Sequence, residues 1–124
     1  FSSNGIELTK NGAEILINIT NDSWYGDSIA SYQHLMLSIP RVIENRKFLI
    51  RSALNGESAI ISPNGKIIKK IERNKEGYLL HKVHLTKEIS FYSEFYSLVN
   101  FFYYLIFFLL VYLLYMKKNF HKRK

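Results

Sequence analysis

Cysteine is absent from this chain of 124 residues. Its absence excludes a disulfide framework and a thiol nucleophile supplied by these residues. There is also no G-x-S-x-G motif of the kind that presents a nucleophilic serine, and a Ser/His/Asp triad assembled from scattered residues carries no weight. We therefore expect no complete active site within these 124 residues.

Histidine is scarce as well, with four in the chain. Only His81 and His84 lie close together, and two residues three apart on a predicted strand face opposite sides of a sheet. Because metal ligands must converge on one point, this spacing does not favour a metal site. We expect neither a metal nor a cofactor.

One long apolar run is present near the end of the chain. Residues 98–116 read LVNFFYYLIFFLLVYLLYM and contain no charged side chain. As a helix, this run rises about 28 Å, which matches the ~30 Å hydrocarbon core of a bilayer. The alternative is a buried core helix, but a domain this small has too little protein to cover it. We expect a transmembrane helix over 98–116.

Positive charge is concentrated after the apolar run. The formal net charge is +7, and residues 117–124 contain five basic side chains. A basic tail can bind nucleic acid, but directly after a membrane segment the positive-inside rule is the better explanation. We therefore expect a cytoplasmic tail over 117–124, a periplasmic location for 1–95, a bacterial inner membrane protein and no nucleic-acid partner. The only long apolar run is C-terminal, so we expect no signal peptide in these residues and a missing N-terminal portion of the same protein that provides export.

The residues before the run have an α/β pattern. A helix is predicted over 6–11, with Gly12 just after its end, where positive φ is favoured. The apolar and β-branched run 13–20 predicts a strand buried on both faces. Asp27 or Ser28 is expected to cap a second helix. The positions expected to face the core along that helix are Ile29, Tyr32, Met36, Ile39 and Ile43.

The remaining segments predict a second strand parallel to the first, followed by a hairpin and one more strand. Pro40 is expected to kink the helix or restart it. The further strands are predicted over 48–53, 58–62, 66–71 and 78–85. This order is half of a layered α/β domain, and its exposed sheet needs another layer.

The only tryptophan lies in a turn after the first predicted strand. The turn reads NDSWYG and contains Asn21, Asp22, Trp24, Tyr25 and Gly26. In open α/β sheets, ligands bind at the carboxyl ends of parallel strands. The two aromatic rings form an apolar wall there, and the amide and carboxylate can orient the loop or a substrate amide. The alternative is an aromatic plug that only fills the turn.

Three stretches together resemble one protein family. They are NGAEILINITNDSWYGDS, then Gln33-His34, then ENRKFLIRSALNGESAIISPNGKII. The pattern is similar to the C-terminal part of the apolipoprotein N-acyltransferases, the membrane branch of the carbon–nitrogen hydrolase (nitrilase) superfamily. The resemblance covers residues 6–85. Its most specific parts are the N-D-x-W-[YF]-G turn, the Q-H pair and the closing membrane helix.

The resemblance implies an αββα domain that faces the periplasm and is carried by several membrane helices. It implies an enzyme with a Glu–Lys–Cys triad, whose cysteine takes an acyl chain from a phospholipid donor as a thioester. The chain then passes to the α-amino group of a diacylglyceryl-cysteine on a lipoprotein acceptor. The glutamate acts as base and the lysine stabilises the oxyanion. The family's cysteine lies in a C-Y-E motif upstream of the N-G-A-E strand, so we expect a fragment that lacks all three residues and is inactive alone.

The site residues carried over by resemblance are those of the turn. Those expected to bind substrate are Asn21, Asp22, Trp24, Tyr25 and Gly26. Trp24 is expected to contact the lipid or gate its entry. Glu44 and Arg51 are expected to be structural, and two departures from the family pattern are Pro40 and Glu57.

The resulting organisation has four parts. They are a partial carbon–nitrogen hydrolase domain (1–85), an interfacial linker (86–97), a transmembrane helix (98–116) and a basic tail (117–124). Two other functions stay open. One is a membrane-anchored nitrilase-like amidase, and the other is an inactive remnant or binding module.

Overall fold

A computed structural model describes the backbone of residues 2–121 and the side chains of residues 4–117. The predicted cytoplasmic tail beyond residue 117 therefore has no described side chain, and residues 122–124 lie outside the described residues. The chain divides into two compact units, Phe1–Glu94 and Phe95–Lys124, and each is described by itself.

The first unit combines three short helices with a four-stranded sheet. The elements in chain order are α1 (Ser2–Lys10), β1 (Leu16–Asn21), a 3₁₀ turn (Ser23–Tyr25), α2 (Ala30–Met36), α3 (Ile39–Asn45), β2 (Leu49–Leu54), β3 (Ser58–Ile61) and β4 (Ile67–Ile71). The predicted α/β class is confirmed. Gly12, after α1, has the positive φ of 92° that was expected of it.

The sheet has the order β1-β2-β3-β4. β1 and β2 are parallel, with Leu16 opposite Leu49 and Asn21 opposite Leu54. β2 and β3 are antiparallel, as are β3 and β4. The predicted parallel pair with a helical crossover, followed by a hairpin, is therefore confirmed.

A small core lies between the sheet and the helices α2 and α3. Its buried members are Leu16, Leu35, Val42, Leu49, Ala59 and Ile61. Leu16, Leu49 and Ile61 are register partners across β1, β2 and β3, and Ala59 lies two residues from Ile61, so these four lie on one face of the sheet. This face is the covered one.

The prediction that β1 is buried on both faces is wrong. Ile17 and Ile19 are 66% and 81% exposed, and Leu54 at the end of β2 is 61% exposed. No layer covers this face of β1 within the described part of the chain. An apolar run shows that both faces of a strand can be buried. Here helices cover only one face of the sheet, and the other face of β1 is exposed.

The predicted buried face of the second helix is wrong at three of its five positions. Ile29, Tyr32 and Ile43 are exposed, although Met36 and Ile39 pack against the core. The fully covered residues are Ser31, Leu35, Val42 and Asn45. The side of α2 and α3 that faces the sheet therefore contains two hydrogen-bonded polar residues besides Leu35 and Val42. For this reason the spacing of apolar residues alone predicted a neighbouring side of the helices.

Proline restarts the helix, as predicted. α2 ends at Met36, and α3 begins at Ile39 with Pro40 in its first turn, where proline needs no amide donor. The predicted cap is wrong, because the N-cap of α2 is Ile29, which makes no side-chain cap hydrogen bond. Ser28, one residue earlier, contributes through its Oγ, which accepts a hydrogen bond from Ala30 N at 3.3 Å.

The strand predicted over 78–85 does not form in the described structure. Tyr78 and Leu80 are 90% and 77% exposed. A strand requires hydrogen bonds to a neighbouring backbone, and in the described sheet β4 pairs with β3 alone. A side chain from β4 provides one contact instead, because Lys69 Nζ donates to Leu80 O at 2.6 Å.

The segment that ends the first unit is attached to the end of α3. Lys47 is fully buried, and its Nζ donates to Thr86 O at 2.6 Å and to Glu88 O at 2.7 Å. The Ser90 hydroxyl donates to Glu44 O. Burial lowers the pKa of Lys47, and the nearby carboxylates of Glu14 and Glu88 act in the opposite direction.

The last helix, α4, runs over Phe91–His121, and its backbone departs from helical geometry at Phe95 (φ −98°, ψ 15°). Within it, Phe91–Lys117 contains an 18-residue window with a mean hydropathy of 2.1, and none of that window is buried. This helix, which contains the predicted span 98–116, is long and apolar enough to cross a membrane.

Candidate functional site

The tryptophan lies in a short, hydrogen-bonded loop after β1, which we call the Trp24 loop (residues 22–28). Asn21 Oδ1 accepts hydrogen bonds from Ser23 N at 3.0 Å and from Ser23 Oγ at 2.6 Å. Trp24 Nε1 donates to Asn21 O at 2.7 Å. The indole is thereby fixed at its polar edge while the ring stays 80% exposed. The Asn21 side chain organises the loop through these bonds.

Asp22 is buried, and both of its carboxylate oxygens have protein partners. Oδ1 lies 2.9 Å from His34 Nδ1 and accepts from Thr20 Oγ1 at 3.2 Å. Oδ2 accepts from Arg51 Nη2 at 2.8 Å and from Ser31 Oγ at 3.2 Å. Burial raises the pKa of Asp22, but the hydrogen bond from His34 and the charge of Arg51 outweigh it, so the pKa lies below its ordinary value. Asp22 is thus an ionised anchor inside the protein.

Arg51 connects three strands through its guanidinium group. Besides the ion pair with Asp22, its Nη1 donates to Asn18 Oδ1 at 2.7 Å and its Nε donates to Glu57 O at 3.2 Å. The side chain is 1% exposed. A buried guanidinium whose donors are distributed in this way fixes β1, the residue after β1 and the residue before β3 relative to β2.

The Asn-Gly pair after β2 lies beside the Trp24 loop. Asn55 adopts a left-handed backbone with φ of 56°, and its Nδ2 donates to Ser23 Oγ at 3.1 Å. Because β1 and β2 are parallel and Asn21 lies opposite Leu54, both strands end at the same edge of the sheet. The loop and the Asn-Gly turn therefore meet at the carboxyl edge of the parallel pair, as the sequence predicted for a ligand site.

Tyr25 and Gly26 complete the loop. The Tyr25 ring packs edge-on against the His34 ring, with 5.8 Å between the ring centroids, and it is 37% exposed. Gly26 has φ of 52° and ψ of −143°, a conformation that strongly favours glycine. In the sequence, His34 stands out only as part of the Q-H pair. Its contacts to Asp22 and Tyr25 give the histidine of that pair a structural role.

Glu57, one of the two departures from the family pattern, is buried. Its Oε1 lies 3.8 Å from Lys70 Nζ, while Oε2 has no hydrogen-bond partner. The carboxylate therefore faces the covered side of the sheet, where an apolar residue was expected.

A cavity of about 490 Å³ lies between the sheet and the helices α1–α3. Leu8, Leu16, Leu37 and Leu49 contribute apolar walls, and His34 forms part of the polar lining. None of the five predicted site residues lines this cavity. It is separate from the exposed surface of Trp24.

Among the described residues, no group of three or more His, Cys, Asp or Glu side chains could hold a metal ion. What the loop offers is an exposed indole on a fixed backbone, suited to contact with an apolar group.

Comparison with known proteins identifies the family. A family model described as carbon-nitrogen hydrolase matches residues 2–91. A protein of Rickettsia typhi named apolipoprotein N-acyltransferase is 46% identical over 76 residues, which cover 61% of this chain and 15% of that protein. A protein of the same name from Haemophilus ducreyi is 39% identical over 83 residues, or 67% of this chain and 16% of its own.

A longer alignment includes the apolar helix. The protein named apolipoprotein N-acyltransferase from Wigglesworthia glossinidia brevipalpis is 34% identical over 121 residues, which cover 95% of this chain and 24% of that protein. The chain thus spans less than a quarter of the length of these relatives. Because the family model covers most of its 124 residues, the chain belongs to the carbon–nitrogen hydrolase family.

Proposed function

We propose that this chain is the C-terminal part of an apolipoprotein N-acyltransferase. The observation that carries the proposal is the 34% identity with a protein of that name over 121 residues, an alignment that includes both the sheet and the apolar helix α4. In the proposed reaction, a cysteine thiolate attacks the ester carbonyl of a phospholipid and forms a thioester. The ester C–O bond breaks, and the lysophospholipid leaves as an alcohol with the proton that the base took from the thiol. The α-amino group of a diacylglyceryl-cysteine then attacks the thioester, an amide bond forms and the thiolate is released.

The catalytic cysteine, lysine and glutamate come from polypeptide outside this chain in this proposal. Support comes from composition, because the chain contains no cysteine. Further support comes from the exposed apolar face of the sheet formed by Ile17, Ile19 and Leu54, which fits the inner face of an αββα sandwich whose second half is supplied by the missing portion. This chain alone is then inactive.

The contribution of this chain to the site is an apolar wall for the acyl chain. Trp24 and Tyr25 have exposed rings at the carboxyl edge of the parallel pair. Asn21, Asp22 and Gly26 shape the loop that presents them, through the contacts described above. We therefore divide the five predicted site residues into two that contact substrate and three that hold the loop.

The proposed location is the bacterial inner membrane, with α4 as the span. Residues 1–95 lie in the periplasm and the basic end in the cytoplasm, which the positive-inside rule supports. The phospholipid donor and the lipoprotein acceptor both approach from the periplasmic side in this arrangement.

A membrane-anchored amidase is the second candidate, since the family match is to carbon-nitrogen hydrolases in general. An inactive remnant or binding module is a third, since no thiol is present. The amidase releases a free acid from an amide, whereas the acyltransferase forms a new amide on an amine acceptor. Product analysis with an amine acceptor therefore separates these functions.

The experiment that tests the proposal uses the complete protein, including the polypeptide upstream of Phe1, in detergent micelles. A labelled phospholipid and a diacylglyceryl lipopeptide are the substrates. We expect Trp24→Ala to lower kcat/KM by about tenfold or more, and Trp24→Phe to retain most activity, because the loss is of apolar contact area. Lys82→Ala, an exposed position, is the control. Wild-type turnover by Trp24→Ala, or no acyl transfer by the complete protein, contradicts the proposal.

A further inference from the structure

Arg73 lies in the turn after β4 and reaches the far end of the Trp24 loop. Its Nη1 donates to Gly26 O at 2.5 Å and to Ser28 O at 3.1 Å, and its Nη2 donates to Asp27 Oδ1 at 2.7 Å. The side chain of Arg73 is 26% exposed. One guanidinium group thus bonds three successive groups of a loop that lies more than 40 residues earlier in the chain.

The near end of the same loop is held by the other arginine. Arg51 Nη2 donates to Asp22 Oδ2 at 2.8 Å, deep in the covered side of the sheet. The loop is therefore fixed at both ends by guanidinium groups, one buried and one near the surface. Between these two attachments lie Trp24 and Tyr25, whose rings are exposed.

Arg73 bonds to the backbone of the Trp24 loop and also forms an ion pair with it. The Asp27 carboxylate is 93% exposed, and an ion pair in such a place contributes little on its own. Two of the three bonds, however, go to backbone carbonyl oxygens. One of these belongs to Gly26, whose backbone (φ 52°, ψ −143°) directs its carbonyl toward Arg73. A lysine has no planar fork and cannot span the same three acceptors.

We propose that Arg73 is a positioning residue that holds the Trp24 loop in the orientation in which its indole receives an acyl chain. The proposal rests on the proposed function for its substrate, but the bracing of the loop is measurable without any activity. Arg73 acts through the loop, and Trp24 makes the contact. Preorganisation of this kind lowers the entropy lost when the lipid binds.

The test uses the only tryptophan of the chain as its own reporter. The full 124-residue chain is studied in detergent micelles, with excitation at the red edge of indole absorption, where its nine tyrosines absorb little and Trp24 is excited selectively. Time-resolved anisotropy then measures the nanosecond motion of the loop. We expect Arg73→Gln to increase the amplitude of that local motion about twofold, and Arg73→Lys to give an intermediate value. Asp27→Asn weakens one of the three bonds and is expected to give a smaller increase. Lys75→Gln, which removes a positive charge two residues away, is expected to leave the anisotropy unchanged.

Far-UV circular dichroism confirms that each variant keeps its secondary structure. If Arg73→Gln folds and its anisotropy decay equals that of the wild type, the bracing is absent and the inference is overturned. If Arg73→Gln unfolds the chain, the anisotropy decays of Arg73→Lys and Asp27→Asn are each compared with that of the wild type. Decays equal to the wild type in both folded variants overturn the inference.

A kinetic measurement links the loop to the substrate. In the complete acyltransferase we expect Arg73→Gln to raise KM for the phospholipid about fivefold with kcat changed less than about twofold, because the wall contributes to binding in ground state and transition state alike. An unchanged KM in an enzyme that Trp24→Ala impairs overturns the positioning role. Wild-type activity of Trp24→Ala contradicts the proposed function instead, whatever the anisotropy shows.

Discussion

Gly56 lies directly against the carboxyl group of Asp22. A β-carbon at position 56 would approach Cβ and Cγ of Asp22 to 2.8 Å, and Oδ2 more closely still. This contact explains why a glycine follows Asn55 after β2. The backbone of the turn has to come close enough for the buried carboxylate to reach Arg51, and any side chain at 56 would displace it.

The first prediction follows from that contact. Gly56→Ala is expected to lower the free energy of unfolding by about 1–3 kcal/mol, because the added methyl group pushes Asp22 out of its hydrogen bonds. Thermal unfolding of the full chain in detergent micelles, followed by circular dichroism, measures the loss. The matched control is Gly77→Ala, where a β-carbon would be 3.4 Å from Ile71 Cδ1, an ordinary contact. Equal melting temperatures for the two variants would argue against the contact.

The second prediction concerns the ion pair between Asp22 and Arg51. Asp22→Asn keeps the shape of the side chain but leaves a buried guanidinium without its counter-charge. Breaking a buried pair by removing one partner destabilises by about 3–5 kcal/mol. We expect a loss near that range in the same unfolding measurement. The control is Asp27→Asn, whose exposed carboxylate pairs with Arg73 at the surface. A loss no larger than that of the control speaks against a buried anchor.

The third prediction is a dependence of stability on pH. The pKa of Asp22 is lower in the folded chain than its ordinary value of 3.8. Folding therefore favours the ionised form, and the resulting stability is fully present above the unfolded pKa and is lost as pH falls through the folded pKa. We expect acidification through and below pH 3.8 to lower the melting temperature. Asp22→Asn should make the melting temperature less dependent on pH in this range. The same dependence in the variant and the wild type would contradict a contribution from Asp22.

The fourth prediction concerns Lys47. Its folded pKa is lowered by burial, so between that value and the unfolded 10.5 the unfolded chain binds more protons. Stability from this group is therefore expected to rise as pH rises through that window.

Lys47→Met keeps the apolar stem and removes the donors to Thr86 O and Glu88 O. We expect a loss of about 1–3 kcal/mol and faster amide exchange in residues 86–94. Lys82→Met, at an exposed position, is the control, and unchanged exchange would refute the attachment.

The fifth prediction uses the absence of cysteine to test orientation in the membrane. These 124 residues contain no cysteine, so Lys75→Cys and Asn119→Cys are introduced separately into the complete protein, in which every upstream cysteine is replaced by serine. Each introduced cysteine is then the only thiol. In bacterial cells with a permeabilised outer membrane, an impermeant maleimide is expected to label Lys75→Cys but not Asn119→Cys. After lysis, both should react. Labelling of Asn119→Cys in intact spheroplasts would reverse the proposed orientation.

Much of the fold was predictable because the strands are short, apolar and separated by turn residues. The parallel pairing of β1 with β2 and the hairpin after them follow from the apolar runs, the intervening helix and turn chemistry. The side of α2 and α3 that faces the sheet was not predictable from apolar spacing, because Ser31 and Asn45 occupy it. The hydrogen bonds that satisfy these two side chains, to Asp22 and to Thr9, are made with residues outside the two helices.

The candidate site was predictable in its location and less so in its roles. The sequence identified the loop at the carboxyl edge of β1, but not that Asp22 is buried and fully bonded. Arg73 gave no signal at all, because two of its partners are backbone carbonyls, which every residue has. Such contacts leave no trace in residue types.

The bare face of β1 and β2 has a consequence for handling the molecule. Ile17, Ile19 and Leu54 together form an exposed apolar patch. In a longer polypeptide that emerges from the ribosome amino end first, a preceding half-sandwich is already folded when this patch appears, and it can shield the patch at once. When these 124 residues are produced separately, the patch can be covered only by another copy of the chain, so aggregation should increase steeply with protein concentration.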